Sequence, residues 1–462
     1  MPSRRALLTA VGGGLAALAG CTGGETTPVG GSSPTGTDVT TPSGTATGSP
    51  TTGDDRPTRT LREPSPLDAS GAWPQEGFDA GHGGVTPAVG VPGSADVYWR
   101  LPRARSGPAV LADGRLFHVG DVGEDPSGSP TVTRTHGGTG TASPDGGRRA
   151  LFCRRAGDGR RLWTRTLGVR QRWPTVAGER VIVGGDGVLA AIRARDGGEV
   201  WRQDLGGRTA TASTVVGGRV VVSTEVAGAG DRDPDVRAYD ATDGTRRWSR
   251  PSSLRQAAVA ASRDTVVSLS AAFRVGSVLT ARALEDGSER WSIELDDSGI
   301  PAGPYVAGGV AYVAPDDDGV HAFDLVDGRR RWHYDAETSN VVGVAASPDS
   351  AYLVDRGRLA VLGAADGAER WGRSPAGGAG YAGRPAVDDG TIYLERAGFP
   401  AAVVALSRAD GGERWSYTLP EAVVDGDMVT SGLAARPTVV GGAVFAFAED
   451  GLYAFGPGDG AG

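Results

Sequence analysis

Groups able to do chemistry are few in this 462-residue chain, and they are scattered. Its five histidines are His82, His118, His136, His321 and His333, with no His-x-x-x-His spacing, and none is expected to have a nearby acidic partner. Asp316-Asp317-Asp318-Gly319 is the one dense acidic run. Several such oxygens could hold a hard cation, but the run reads as a solvated turn between the second and third strands of a sheet. The single asparagine, Asn340, opens the strand-like Asn340-Val341-Val342 and reads as a structural edge residue. Of two cysteines, Cys153 lies in the apolar run Leu151-Phe152-Cys153-Arg154 and is expected to be a small buried hydrophobe. The other, Cys21, ends Leu18-Ala19-Gly20-Cys21, which resembles a lipobox, whose thiol is acylated and becomes the new N-terminus. No catalytic constellation and no cofactor or metal site emerges from these residues.

The elements around them begin with an export address. Arg4-Arg5 followed by a short Leu/Ala/Gly run resembles a twin-arginine signal over residues 1–20, too short to span a bilayer. Removing it takes away Arg4 and Arg5 and moves the net charge from −8 to −10. Residues 21–66 are rich in Thr, Ser, Gly and Pro and nearly free of large apolar side chains. Such a stretch cannot offset its ordering entropy, so a disordered tether is expected. All 47 basic residues are Arg and Lys is absent, a bias that suits a GC-rich genome and, with the net charge of −8, a haloarchaeon or an actinobacterium as the source. An acidic chain lacks the basic face that nucleic acid requires.

The body, residues 67–462, is a repeat. Asp-Gly-x-x-x-Trp recurs with tryptophans at Trp163, Trp201, Trp248, Trp291, Trp332, Trp371 and Trp415, every 38 to 47 residues. Upstream of these copies lies a Pro/Ala-x-Val module and then an alternating apolar strand, as in Pro304-Tyr305-Val306 followed by Val310-Ala311-Tyr312-Val313. Period-two alternation bounded by Gly, Asp and Pro predicts four short strands per unit, and units of this length repeated around a ring predict a β-propeller. An eighth Asp-Gly, Asp459-Gly460, stops short of its tryptophan. Val97-Tyr98-Trp99-Arg100 supplies the missing strand, so an all-β, eight-bladed propeller closed by its N-terminal strand is expected. A long insertion from about Asp121 to Arg148 interrupts the first unit and is expected to be disordered.

The repeat, with Ala238-Tyr239-Asp240 and Ala322-Phe323-Asp324 before it, resembles that of the quinoprotein, pyrroloquinoline-quinone-like propellers. Trp73-Pro74-Gln75 resembles the lead-in of that family. The resemblance implies that Trp99, Trp163, Trp201, Trp248, Trp291, Trp332, Trp371 and Trp415 dock between neighbouring blades, with Trp73, outside the repeat, mattering less to stability. Two groups share the repeat: quinone-dependent dehydrogenases, and BamB-type lipoproteins that act as envelope scaffolds. The dehydrogenases use a vicinal Cys-Cys pair and a calcium held partly by Asn; this chain has no such pair and one Asn. The resemblance therefore favours a non-enzymatic, monomeric, lipid-anchored scaffold on the outer face of the cytoplasmic membrane, with an extracytoplasmic protein partner. A cell-surface sugar or small-ligand binder and a quinone-dependent dehydrogenase are the alternatives.

Overall fold

A computed structural model describes residues 67–458, apart from 103–107, 122–148, 167–173, 227–233, 253, 255, 273–275, 296–301, 316–317, 337–340, 399, 421, 425–426, 430–431 and 449. Arg4, Arg5, Cys21, the boundaries at 20 and 66, Asn340, Asp459-Gly460 and all of the insertion beyond Asp121 therefore lie outside the described residues.

Among the described residues the chain is strands throughout, save one short 3-10 turn at Ala376–Gly378. The strands form six four-stranded sheets, one seven-stranded sheet and a small two-stranded one, all antiparallel, with neighbours in chain order except where Ala95–Pro102 joins the sheet that ends the chain's last group. The seven-stranded sheet is two groups of four that share the long strand Glu199–Val216, which turns at Gly206-Gly207 from closing one group to opening the next. First strands of successive groups touch in turn. The ring closes where Thr438 Oγ1 donates to the Ala109 carbonyl at 2.8 Å. This is a β-propeller.

One sheet is completed by both ends of the chain. Ala95–Pro102 pairs with Gly451–Pro457, and Trp99 lies opposite Ala454. Closure of this kind removes an open edge that would otherwise recruit other strands.

The Asp-Gly turn does two jobs at once. In all seven complete copies the Asp Oδ1 accepts the N–H two residues on, at 2.8–3.0 Å, closing an Asx turn. The Gly takes φ between 69° and 75°. It also lies flat under the tryptophan of the preceding unit: a Cβ on Gly244 would sit 2.7 Å from the Trp201 ring, and one on Gly328 would sit 2.8 Å from Trp291. Positive φ and the aromatic face each exclude a side chain there.

Candidate functional site

Residues 73–84, the lead-in to the propeller, run around one end of the ring and bond to seven successive groups in order. Within each first strand the amide at one equivalent position, two residues before the turn or its counterpart, finds its acceptor there. Leu111 N–H donates to the Trp73 carbonyl, Val176 to Pro74, Val215 to the Gln75 side chain, and Ala261 to Ala80. Val306 then donates to Gly81, Ala346 to Gly83 and Val387 to Gly84. All seven bonds are 2.5–3.0 Å long. The physical reason is plain: a first strand has one unpaired side, and in a ring those sides face the axis, where buried amides need acceptors. The eighth group is met from both flanks, by Ser70 pairing with Gly441 and by Gly442 N–H donating to Val89. Gly81 passes so close that a Cβ would lie 1.9 Å from the Val306 carbonyl oxygen.

Charged side chains fasten this belt. Arg384 Nη1 donates to Glu76 at 2.7 Å. Arg436, 6% exposed, spends Nη1 on the His82 carbonyl and Nη2 on that of Val344. Burial, and then repulsion from Arg384, brings the Arg436 guanidinium down to about 10, so it stays charged at neutral pH. Burial raises the Asp79 carboxyl, against the opposing bond from Gly83 N–H.

Trp73 corrects an expectation. It is 1% exposed, pairs through its backbone with Leu111 and packs on Phe78. Its place outside the repeat does not make it peripheral, because the belt puts it inside the core.

Each of the eight repeat tryptophans donates its indole Nε1–H to a backbone carbonyl at 2.7–3.2 Å. Trp99, Trp163, Trp201 and Trp248 bond Ala156, Ala194, Ala241 and Leu284. Trp291, Trp332 and Trp371 bond Leu325, Ala364 and Arg408. In these seven the acceptor lies two residues before the next Asp-Gly. Trp415 departs from the pattern and bonds Val91, beyond the belt. Trp99, Trp163 and Trp371 are half-buried; the rest are buried.

Cys153 is fully buried, and burial pushes its thiol up to about 12, so it is no nucleophile. His118 is buried, stacks on Phe152 and accepts the Arg154 Nε–H at 3.1 Å. Burial, then the charge of Arg154, lowers it to about 3. The unfolded chain therefore binds a proton below pH 6.5 that the folded chain refuses until about pH 3. Stability from this group is present above pH 6.5 and is lost as pH falls below it, by up to about 1.4 kcal/mol per pH unit. His118→Gln is expected to flatten the stability–pH slope between pH 6.5 and 4 by close to one proton, read by denaturant titration; an unchanged slope refutes the assignment.

Two histidines without a sequence neighbour are brought together. His321 and His333 lie directly opposite on the strands Val320–Asp324 and Arg330–Tyr334, with ring centroids 4.5 Å apart. Asp318, at the preceding turn, takes His321 Nε2 on one carboxylate oxygen at 2.9 Å and His333 Nε2 on the other at 3.0 Å. The expectation that no histidine has an acidic partner is thus overturned for this pair. Asp318 stands three residues before His321 and was there to be read, whereas hairpin register, which sequence spacing does not display, brings in His333. His321 is 6% exposed, and its pKa is lowered by burial and by His333, with Asp318 opposing. A cavity of about 440 Å³ adjoins the pair and is lined in part by Asp318, His321, Phe323, Glu294 and Arg330.

Comparison with known proteins follows the same lines. A family model described as outer membrane protein assembly factor BamB matches residues 151–299, 275–393 and 355–461. No curated protein matches the chain by sequence. Among solved structures, BamB from Moraxella catarrhalis is 14% identical with a TM-score of 0.51, covering 79% of this chain and 100% of that one. Quinohemoprotein alcohol dehydrogenase from Comamonas testosteroni is 14% identical at TM-score 0.58, covering 83% and 80%. A europium-containing methanol dehydrogenase is 10% identical at TM-score 0.59, covering 84% and 98%. At these identities the likeness is one of fold. With the matched segments running from 151 to 461, the chain belongs to the BamB-type family of PQQ-like repeat propellers.

Proposed function

We propose that this chain is an eight-bladed, lipid-anchored propeller that serves as a non-enzymatic scaffold for an extracytoplasmic protein partner. The belt carries this proposal. Seven first-strand amides at one end of the ring are taken by the chain's own residues 73–84, and the cationic groups beside them, Arg384 and Arg436, are already engaged by Glu76 and by backbone carbonyls. Such an arrangement favours a rigid body whose rims and loops meet a partner over one that holds a planar cofactor and a substrate on its axis. Membership of a family described as an assembly factor points the same way. Arg4-Arg5 and Cys21 supply export and the anchor. Assembly of outer-membrane barrels in the strict sense needs an outer membrane, so in a haloarchaeon the partner would be another envelope protein.

The test has two arms. In cells, Cys21→Ser is expected to move the protein from the membrane to the soluble fraction; retention on the membrane overturns the anchor. Cross-linking of the wild-type protein in intact cells is expected to give one dominant heteromeric adduct, and recovery of monomer alone contradicts a scaffold.

A further inference from the structure

We propose that Asp318, His321 and His333 form a binding site for one divalent transition-metal ion, of the zinc class. Both imidazole Nε2 atoms converge on a single carboxylate, and the donor atoms of the three residues lie within 4.8 Å of one another. Each Nε2 is also 3.0–3.1 Å from the Asp318 carbonyl oxygen, so neither histidine turns to a separate partner. Donors that share one focus are what a chelate requires, whereas a purely structural histidine pair needs only one acceptor per ring.

Distances decide whether an ion fits. Zinc takes nitrogen and oxygen donors at about 2.0–2.2 Å, which sets neighbouring donors in a tetrahedral shell roughly 3.3–3.5 Å apart. The nitrogen-to-carboxylate separations of 2.9 and 3.0 Å need to open by only a few tenths of an ångström. Asp318 can supply that movement, because it sits at a turn with its side chain half exposed. The two imidazoles cannot drift apart, being fixed opposite each other by strand register, with His321 buried. Each would coordinate through the lone pair of neutral Nε2 and keep its proton on Nδ1, with no redox step.

Ligand type selects the class of ion. Two imidazoles and one carboxylate suit zinc, copper(II) or nickel(II), whereas calcium and magnesium prefer shells made wholly of oxygen. Three protein donors leave a tetrahedral ion one position short, the arrangement of an open site. The adjoining cavity of about 440 Å³ shares Asp318 and His321, so a further donor can reach the ion from solvent or from a bound molecule.

The full-length protein, stripped with chelator and dialysed, would be titrated with zinc chloride by calorimetry at pH 7.5, with calcium chloride as the comparison. One saturable zinc per chain is expected, with calcium failing to compete. His333→Ala and Asp318→Asn alter exposed residues, and each is expected to weaken zinc binding by about tenfold or more. At one fixed zinc concentration the melting temperature of the wild-type protein should rise by clearly more than that of His333→Ala. No saturable zinc site, or one of equal affinity in both variants, overturns the proposal.

Discussion

Deletion of residues 67–102 is expected to abolish the stable monomer. The deletion removes two things at once. Without Ala95–Pro102, the strand Gly451–Pro457 loses its antiparallel partner and becomes an open edge. Without residues 73–84, seven equivalent amides on the first strands lose their acceptors. A buried amide left unpaired costs about 1–3 kcal/mol. Water reaching the freed amides recovers part of that. Even a partial loss repeated over seven strands rivals the whole margin of a folded domain, about 5–15 kcal/mol. Aggregation on purification, or loss of a cooperative melt, is therefore the expected outcome. Removal of residues 21–60, expected from composition to be a tether, should leave the melting temperature unchanged. A shortened chain lacking 67–102 that is monomeric and melts cooperatively near the wild-type temperature would mean the ring closes without these residues.

Truncating a tryptophan is expected to have the next largest effect. Trp332 is 7% exposed, packs against Tyr312, donates to the Ala364 carbonyl and covers Gly367. Trp291 likewise donates to the Leu325 carbonyl and covers Gly328. Emptying such a site costs about 3–5 kcal/mol, and the orphaned carbonyl adds to it. Trp73→Ala should cost as much, because the ring is fully buried and its backbone belongs to the belt. Trp371→Ala, where the ring is half-buried, should cost less. Guanidinium melts of the four variants check the ranking; equal, small losses at Trp73, Trp291 and Trp332 would refute the packing account.

The repeat was legible because each unit must solve one local problem with the same residues. An Asx turn needs Asp, the positive φ beneath an aromatic ring needs Gly, and the ring itself is Trp, so the solution is written at a regular interval. Closure by Val97-Tyr98-Trp99-Arg100 was legible for the same reason: the last unit visibly lacked its tryptophan. The belt was not. Six of its seven bonds use backbone carbonyls, which leave no signature in side-chain type, and only Trp73-Pro74-Gln75 stood out as a lead-in. Its consequence for Trp73 was missed with it. Asp318, His321 and His333 were visible individually, but what unites them is that His321 and His333 face each other across a hairpin.

The claim that this propeller is a scaffold and not a quinone enzyme is tested most directly by an activity and binding assay on the purified chain. Pyrroloquinoline quinone and calcium are added, and reduction of an artificial electron acceptor is followed across a panel of alcohols and aldoses, with quinone binding measured by calorimetry. That chemistry needs a rigidly held quinone, a cation polarising it and a base aimed at the substrate hydroxyl. No turnover and no saturable quinone binding is the predicted result. Turnover that a chelator abolishes, together with tight quinone binding, would contradict it.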